Sequence, residues 1–305
     1  MFAKFLDPKN DIAFRKIFGS EQHKTVLIQF INDILEFTGS KKIEQVEFLK
    51  TVQNPDIALK KQSIVDVLCR DANGIQYIIE MQVAKTKGFE QRAQYYAAKA
   101  YGRQANTGDE YYHLKEVIFI AIADYIIFPD KAAYKSDHII LDKQSYEHDL
   151  KDFSFTFIEL PKFRKGPEDK LSNMLERWCC FFKYASQVSA ADLKQLVDHH
   201  PILKEAYQAL DRHYWTEEEY LAYEQESKRI RDHKAMLAAA KDEGRQEGHQ
   251  QGRQEGLEQG LQQGLERGEH NKSLEVAKKM LAKGSPISDI EAITGHSRQE
   301  IASLC

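Results

Sequence analysis

Residues 63–82, SIVDVLCRDANGIQYIIEMQ, consist of two apolar runs on either side of an Asn-Gly turn. This pattern predicts a β-hairpin, because Asn-Gly is a strong hairpin signal and β-branched residues favour strands. Each run nevertheless carries one acid, Asp66 in the first and Glu80 in the second. Burial of a carboxylate is costly unless the group is paired or bound to a cation. The two acids therefore point to a function.

The length of the turn decides whether these acids meet. A two-residue loop would place them on opposite faces of the hairpin. A three-residue loop, residues 72–74, places Asp66 directly across from Glu80, with Cβ atoms about 5 Å apart and Gln82 on the same face. Three-residue loops favour a left-handed residue at their last position, which is Gly74. We therefore predict the three-residue loop.

The residues around the acids favour a divalent-metal site over an exposed face with two solvated acids. Over residues 64–68 and 78–82, both faces of the hairpin are apolar apart from the acids and Gln82, so we expect it in the interior. Neighbouring carboxylates repel each other and resist burial, and a divalent cation removes both problems. Mg²⁺ takes one or two protein carboxylates and fills its other positions with water and phosphate. That arrangement suits phosphodiester hydrolysis.

The first 165 residues predict a mixed α/β domain. Apolar residues recur at helical spacing over residues 11–37, and Gly19 and Ser20 divide this segment into two helices. Besides the hairpin, we predict strands at 43–49, 117–125 and 153–160 and a helix at 88–105. An order of strand, strand, helix and buried strand is typical of an α/β sheet. Residues 166–240 predict a helical region packed on this sheet.

Residues 244–268 have a glycine at every fourth position. Because each glycine inside a helix costs about 1 kcal/mol relative to alanine, seven of them disfavour an isolated helix. Two interpretations of 241–271 remain open. The segment is either a polar linker or an oligomerisation helix whose glycines let a second helix approach closely, as in small-xxx-small packing. The second interpretation predicts a homo-oligomer, such as a dimer, formed through the tail.

Residues 272–305 return to an ordinary composition and predict three short helices, at 273–283, 286–293 and 298–304. Ser297 and Glu300 have the spacing of a capping box at the start of the last helix. This tail is interpreted either as a small helix-turn-helix or as a capping or dimerisation element.

Overall composition excludes several classes of protein. A net charge of −4 gives no global attraction to nucleic acid, so DNA binding would need a local basic patch. The four cysteines show neither C-x-x-C pairing nor histidine partners at zinc spacing, which fits a reducing cytoplasm. The N-terminus has no signal-peptide pattern, and no apolar run approaches the ~18 residues of a membrane span. We therefore expect a cytoplasmic protein without a membrane partner.

The hairpin motif resembles that of the PD-(D/E)XK nucleases, in which an Asp is followed on the next strand by Glu-x-Lys. The variant here, Glu80-Met81-Gln82, is similar to the Rpn family of recombination-promoting nucleases and transposases. Further similarities lie in the N-terminal motif, in the helix after the second strand and in the tail. They are DIAFRKIFG at 11–19, the residues Phe89, Arg92, Tyr95 and Tyr96, and the Gly-x-x-x repeat. The resemblance implies a restriction-endonuclease-like mixed sheet flanked by helices, then a helical region and a long glycine-repeat helical tail.

The same resemblance implies a DNA endonuclease that depends on Mg²⁺ or another divalent cation and acts in recombination or transposition. Asp66 and Glu80 would be its metal ligands, with the Met81 carbonyl as a third. Gln82 stands where the lysine of the motif positions the attacking water. A glutamine amide can orient water but carries no positive charge. The charge of the transition state would then need a second metal ion or another cation.

Candidates for that cation are Lys16, Lys85 and Arg92. Lys85 begins a Lys-Thr-Lys stretch that could contact the DNA backbone. In the nuclease interpretation Arg92 faces the phosphate and Tyr96 packs near the cleaved strand. In the alternative, the tyrosines of this helix are core residues with their phenol tips at the surface. Asp11 either orients the site from the N-terminal helix or is simply that helix's N-cap.

Two other functions remain open from sequence. One is a catalytically impaired DNA-binding or interaction protein that has lost activity through the change from lysine to glutamine. The other is a toxin or phage-defence nuclease, which would share the chemistry and differ in its biology. The pair of acids favours an active nuclease over an inactive scaffold, because a scaffold has no reason to keep buried acids.

Overall fold

The structure is a computed structural model that describes residues 4–53, 63–105 and 110–304. The chain forms two compact units, Met1–Lys234 and Ala235–Cys305. The helices are α1 Asp11–Phe18, α2 Lys24–Ile34, α3 Phe89–Gly102, α4 Met174–Tyr184, α5 Ala190–Val197, α6 Pro201–Leu210, α7 Glu217–Ala282, α8 Ile287–Thr294 and α9 Arg298–Ala302. The strands are β1 Val46–Phe48, β2 Val52–Gln53, β3 Ser63–Ile64, β4 Val67–Asp71, β5 Gln76–Gln82, β6 Val117–Ala123, β7 Lys135–Ile139 and β8 Phe153–Glu159.

The first unit is built on a six-stranded mixed sheet with the order β1-β4-β5-β6-β8-β7. The β4–β5 hairpin and β1 pair antiparallel, whereas β5, β6 and β8 are parallel. Strand β7, which sequence reasoning did not predict, pairs antiparallel at the other edge. Its residues are half-buried or exposed, so it lacks the apolar run that identifies the central strands.

The turn of the hairpin has the predicted three-residue form. Val67 pairs with Ile79, and the Asp71 amide donates to the Ile75 carbonyl at 3.0 Å. Gly74 has φ +85°, the left-handed conformation that this loop requires.

The prediction of one unbroken first strand was wrong, because the strand is interrupted at Asp66. Residues on its N-terminal side form β3, which pairs with β2 in a separate two-stranded sheet. The interruption frees the Asp66 side chain and amide for the contacts described below.

Hydrophobic cores lie on both faces of the sheet, as alternation along the strands requires. In β6, Ile118, Ile120 and Ile122 enter the larger core, which contains residues of α1, α2, α4 and α6. Val117, Phe119 and Ala121 enter the smaller core, which contains the apolar side of α3. The acids of the hairpin share a face with Leu68 and Ile78, and these belong to the α3 core.

The glycine repeat lies within α7, so its predicted helical conformation is confirmed, whereas its role in oligomerisation stays a prediction. The first helix predicted for the tail, at 273–283, is the end of α7 and not a separate element. Glycine lowers helix propensity but keeps its backbone N–H, and no proline occurs between Pro201 and Pro286 to end the helix. The second unit also contains α8 and α9, whose Ile290 and Ile301 pack with Ala277. The predicted capping box at Ser297 is confirmed.

Among the residues that the structure describes, no helix is long and apolar enough to cross a membrane.

Candidate active site

The two hairpin acids lie side by side at the C-terminal end of β5. The Asp66 amide donates to Glu80 Oε1 at 3.2 Å, and the Met81 amide donates to Asp66 Oδ2 at 3.0 Å. The carboxylates thus take the backbone donors that a continuous ladder would have used. Only 4% of Glu80 is exposed. The fold holds two adjacent acids in a largely buried place, next to the end of a parallel strand, where α/β sheets commonly bind ligands.

Gln82 connects this acid pair to a cation on α3. Its Nε2 donates to Glu80 Oε2 at 2.9 Å, and its Oε1 accepts from the Arg92 guanidinium at 2.6 Å. This orientation of the amide gives the carboxylate a donor and the guanidinium an acceptor. The Nε of Arg92 is buried and forms no hydrogen bond to any described residue. The Arg92 guanidinium therefore lies next to Gln82, the residue that stands where the motif has a lysine.

The electrostatics of the site favour protonation of its acids. Burial, and then the neighbouring Asp66 carboxylate, raise the pKa of Glu80 to about 8, against the opposing effect of Arg92. Burial, followed by Asp66 and Glu226, raises the pKa of Asp11 to about 6. The folded chain thus concentrates negative charge in a place that resists it. A bound cation would relieve that penalty.

Helix α1 contributes two charged residues to the site. Its N-cap is Asn10, whose side chain accepts from the amides of Ile12 and Ala13. The alternative that Asp11 is the N-cap was therefore wrong. Asp11 is the first helical residue and lines the same cavity as Arg15, one turn later. Arg15 donates to Asp66 Oδ1 at 3.1 Å.

Sequence reasoning missed Arg15 as well as a group of residues from α7. Arg229 lies 3.4 Å from Asp11 and also pairs with Glu226. The i, i+4 spacing from Asp11 to Arg15 could have identified Arg15, because such residues share a helix face. No local signal could have identified Arg229, which is more than 200 positions away from Asp11 in the sequence.

The remaining predicted site residues divide into two groups. Tyr96 is half-buried and lines the cavity next to Arg92. Lys16 pairs with Glu219 at 2.5 Å and lies 4.7 Å from the ring of Trp215, outside the cavity lining. Lys85 is exposed and also lies outside that lining. The structure thus brings Tyr96 to the acids but not the two lysines.

An open cavity of about 540 Å³ joins these elements. We call it the acidic cavity. It is lined by Asp11, Arg15, Ile64, Asp66, Glu80, Met81, Gln82, Val83, Ala84, Thr86, Arg92, Tyr96, Glu226, Arg229, Ile230 and His233. Four separate segments meet here, which are α1, the hairpin, α3 with the loop before it, and the N-terminal part of α7. Its size and its opening to solvent leave room for a phosphate group and water.

The donor atoms at the acid pair fit a hard divalent cation. Within the described residues, no group of three or more His, Cys, Asp or Glu side chains is placed to hold a metal ion. Mg²⁺ needs only one or two carboxylates. The Gln82 carbonyl accepts from the backbone amide of Asp124, the residue after β6, at 2.8 Å. Because alternate residues of a strand turn to opposite neighbours, the Met81 backbone faces the Asp66 side.

Comparison with known protein families matches residues 8–240 to the model of a family described as PD-(D/E)XK nuclease family transposase. The chain belongs to this family. The membership confirms the predicted resemblance, and it agrees with the mixed sheet and flanking helices. PD-(D/E)XK nucleases generally use divalent metal ions, in keeping with the donor atoms at the acid pair. The chain matches no curated protein and no solved structure.

Proposed function

We propose that this PD-(D/E)XK protein is an endonuclease that hydrolyses DNA phosphodiester bonds with the help of Mg²⁺ and serves DNA recombination or transposition. The observation that carries the proposal is the adjacency of Asp66 and Glu80 at the end of β5, in a cavity that arginine side chains also line. The pair fits one metal ion, and the open cavity leaves the other side of that ion accessible to substrate.

Asp66 and Glu80 would hold the metal, with the Met81 carbonyl as the third protein ligand. When bound, Mg²⁺ polarises the phosphoryl oxygen and lowers the pKa of water. The protein's own residues position the ligands. The Met81 amide orients the Asp66 carboxylate, and the Gln82 amide orients Glu80. Glu80 must lose its proton before it binds a cation, so metal binding and proton release are linked.

Gln82 and Arg92 together would replace the lysine of the usual motif. Gln82 orients a water molecule near Glu80, and Arg92 supplies the positive charge that glutamine lacks. The 2.6 Å contact between them supports this division of roles. Arg92 also lines the acidic cavity beside Tyr96, from where its charge could act on the phosphate. Asp11 would orient the site through its charge near Asp66.

The test is nicking of supercoiled plasmid with Mg²⁺, with EDTA, and with Asp66→Asn. Asparagine keeps an oxygen acceptor for the Met81 amide but loses the charge that holds the metal. If the metal lowers the activation barrier by about 4 kcal/mol, its loss slows the rate of nicking about a thousandfold. Asp130→Asn, an exposed acid outside the cavity lining, is the matched control and should keep full activity.

The outcomes separate active and inactive interpretations. Equal nicking by wild type and Asp66→Asn would rule out the assigned site. A wild type that binds DNA and shows no Mg²⁺-dependent nicking would support the alternative of an impaired DNA-binding protein on a nuclease scaffold.

We also propose that the tail brings two copies of the chain together through the glycine repeat. Leu257, Leu261 and Leu265 follow successive glycines and are 65–75% exposed. This spacing gives the helix an apolar stripe beside a stripe without side chains, which suits close helix packing. Light scattering of the full chain, and of a chain that ends at residue 240, tests the assembly. An unchanged number of chains per particle would contradict it.

A further inference from the structure

A second open cavity, of about 450 Å³, lies at the turn end of the β4–β5 hairpin. Its lining includes two lysines, two arginines and one histidine and, among the described residues, no carboxylate. These basic residues are Lys50, Arg70, Arg103, His113 and Lys115. We call this cavity the basic pocket. Because the chain as a whole carries a net charge of −4, the positive charge is a local concentration of the kind that DNA binding requires.

The hairpin connects the basic pocket with the acidic cavity. Arg70 pairs with Gln76 at the turn end, and the same register sets Asp66 opposite Glu80 at the other end. All four residues point to one face, because alternate residues of a strand share a face. Four residues separate Asp66 from Arg70, which is about 13 Å at the usual rise of a strand.

Helix α3 spans the same two cavities. Arg92 and Tyr96 line the acidic cavity, whereas Ala100 and Arg103 line the basic pocket. Eleven residues separate the two arginines, which is about 17 Å along a helix. The strand and the helix thus give similar separations between the acidic cavity and the basic pocket. Phosphates of one duplex strand recur about every 3.4 Å along the axis and also wind around it, so this separation spans more than one phosphate of the same backbone.

The wall of the basic pocket is fixed by contacts within the chain. Gln104 donates to the Lys115 carbonyl at 2.9 Å and accepts from the Lys115 amide at 2.8 Å. The Lys115 stem packs against Gly74, where an added Cβ would lie 3.2 Å from Lys115 Cγ. The backbone that carries this lysine is therefore held in place before any ligand binds.

The charges of the basic pocket are only partly neutralised. Arg70 pairs with Glu47 at 2.8 Å, and both side chains are about half exposed. Solvent screens such a pair, and a phosphate can compete for the arginine. The ammonium groups of Lys50 and Lys115 form no ion pair with a carboxylate of the described chain. Both lysines are exposed and can reach an anion.

We propose that the basic pocket binds the backbone of the DNA substrate, at phosphates beyond the one that is cleaved. The inference rests on the proposed nuclease function for the identity of the ligand. Contacts to phosphates fix the register of a protein on a duplex without reading its sequence. The basic pocket would therefore position the substrate strand on the acid pair, and Lys50 and Lys115 would act in binding, not in the chemical step.

The experiment measures DNA binding without cleavage. A fluorescent duplex is titrated with the full-length protein in EDTA over a series of salt concentrations, and the anisotropy gives the affinity. The test variant is Lys50→Gln with Lys115→Gln, and the matched control is Lys170→Gln with Lys194→Gln, two exposed lysines outside both cavities. Thermal melting verifies that all variants fold.

We expect the test variant to bind at least about tenfold more weakly at low salt and to lose about 1.8 from the slope of log affinity against log salt, about 0.9 for each lost phosphate contact. The control should keep the wild-type slope. Equal slopes in the test variant and the wild type would overturn the proposal, as would an equal loss in the control. If the wild type binds with the expected slope yet cleaves no DNA with Mg²⁺, the nuclease function fails while the basic pocket stands as a DNA site.

Discussion

The hairpin at residues 63–82 and the glycine repeat at 244–268 each break a local rule of secondary structure. The hairpin puts acids into apolar strands, and the repeat puts glycines into a helix. In the hairpin, contacts within the chain account for the exception, because Asp66, Glu80 and Gln82 bond to one another, to backbone amides and to arginines. In the repeat, a Cβ added at any of the seven glycines would meet no atom within 4 Å.

This difference separates two kinds of unusual sequence. Local rules are broken at functional sites, where another interaction offsets the loss. The acids find that interaction inside the fold. The glycines find none within the described chain, although each one costs the helix about 1 kcal/mol. Their compensation would have to come from a second chain. Substitutions in the hairpin and at the glycines test the two sides of this contrast.

The largest effect concerns the positive charge behind Gln82. We expect Arg92→Met to lower the rate of Mg²⁺-dependent nicking about 10²–10³-fold, the usual loss when one preorganised donor is removed from a charged transition state. Adding Gln82→Lys to this variant should restore at least about tenfold, because lysine returns the charge at the position that the motif normally uses. The rates are measured by single-turnover nicking of plasmid.

Lys99→Met on the same helix controls for the loss of a cation from α3, since Lys99 lies outside the cavity lining. A rate for Arg92→Met close to that of Lys99→Met would show that Arg92 only packs against the site. Failure of the added lysine to restore activity would indicate that Arg92 acts through geometry and not through charge.

The second prediction concerns the pH dependence of stability without metal. Below about pH 4.5 the Glu80 carboxyl is protonated in both the folded and the unfolded chain. As the pH rises towards 8, the folded chain keeps a proton that the unfolded chain has lost, because the pKa of Glu80 is raised to about 8. The free energy of unfolding should therefore fall across this range.

Glu80→Gln should flatten this fall and leave the protein more stable than wild type at pH 8. Urea unfolding in EDTA at pH 5, 6.5 and 8 measures the free energy of unfolding. The control is Glu44→Gln, at an exposed position. Asp11, whose pKa is raised to about 6, adds a smaller decrease at the acid end. A wild type that gains stability from pH 5 to pH 8, in parallel with Glu80→Gln, would contradict the electrostatics described for the site.

Sequence reasoning reached most of the hairpin because the information there is local. The period of two, the turn glycine and the position of the acids are all contained in residues 63–82, and they predicted the register that the structure has. The interruption at Asp66 was missed, because the carboxylates compete with the backbone ladder only after Asp66 and Glu80 have come together. Propensity rules do not contain that competition.

The rest of the site depends on contacts between distant segments. Arg229 joins it because the start of α7 packs on the N-terminus of α1, where Asn10 donates to the Tyr223 carbonyl. Lys16 leaves it for the same reason, since Glu219 of α7 pairs with it. A charge pattern within one segment cannot reveal which distant residue will neutralise it. The long helix was ambiguous in sequence, because seven glycines disfavour an isolated helix whereas their spacing suits close packing with a second helix.

The third prediction uses one substitution at the turn. Gly74→Ala should destabilise the protein by about 1–2 kcal/mol, because a side chain in the left-handed conformation is strained. The new methyl would also press on the Lys115 stem at 3.2 Å. Urea unfolding at pH 6.5 gives the value. Ala72→Gly in the same loop is the control for flexibility, and a neutral Gly74→Ala would mean that the hairpin tolerates another loop.

The effect that is smallest per site, and has the opposite sign, comes from the same change of glycine to alanine in the repeat. Gly256→Ala with Gly260→Ala should stabilise the helix of a single chain by about 1 kcal/mol per site, because the added methyl groups meet no atom of the chain. If the glycines serve close approach of a second helix, the same methyl groups will hold the two backbones apart and weaken the dimer.

Helix content by circular dichroism and mass by light scattering therefore move in opposite directions in that double variant. We expect equal or higher helicity, and a particle mass that falls towards the mass of a single chain at low protein concentration. Gln259→Ala, between the two glycines, should change neither. A gain in helicity with the mass unchanged would mean that the glycines serve no interface, and the repeat would then differ from the hairpin by having no compensating contact in either one chain or two.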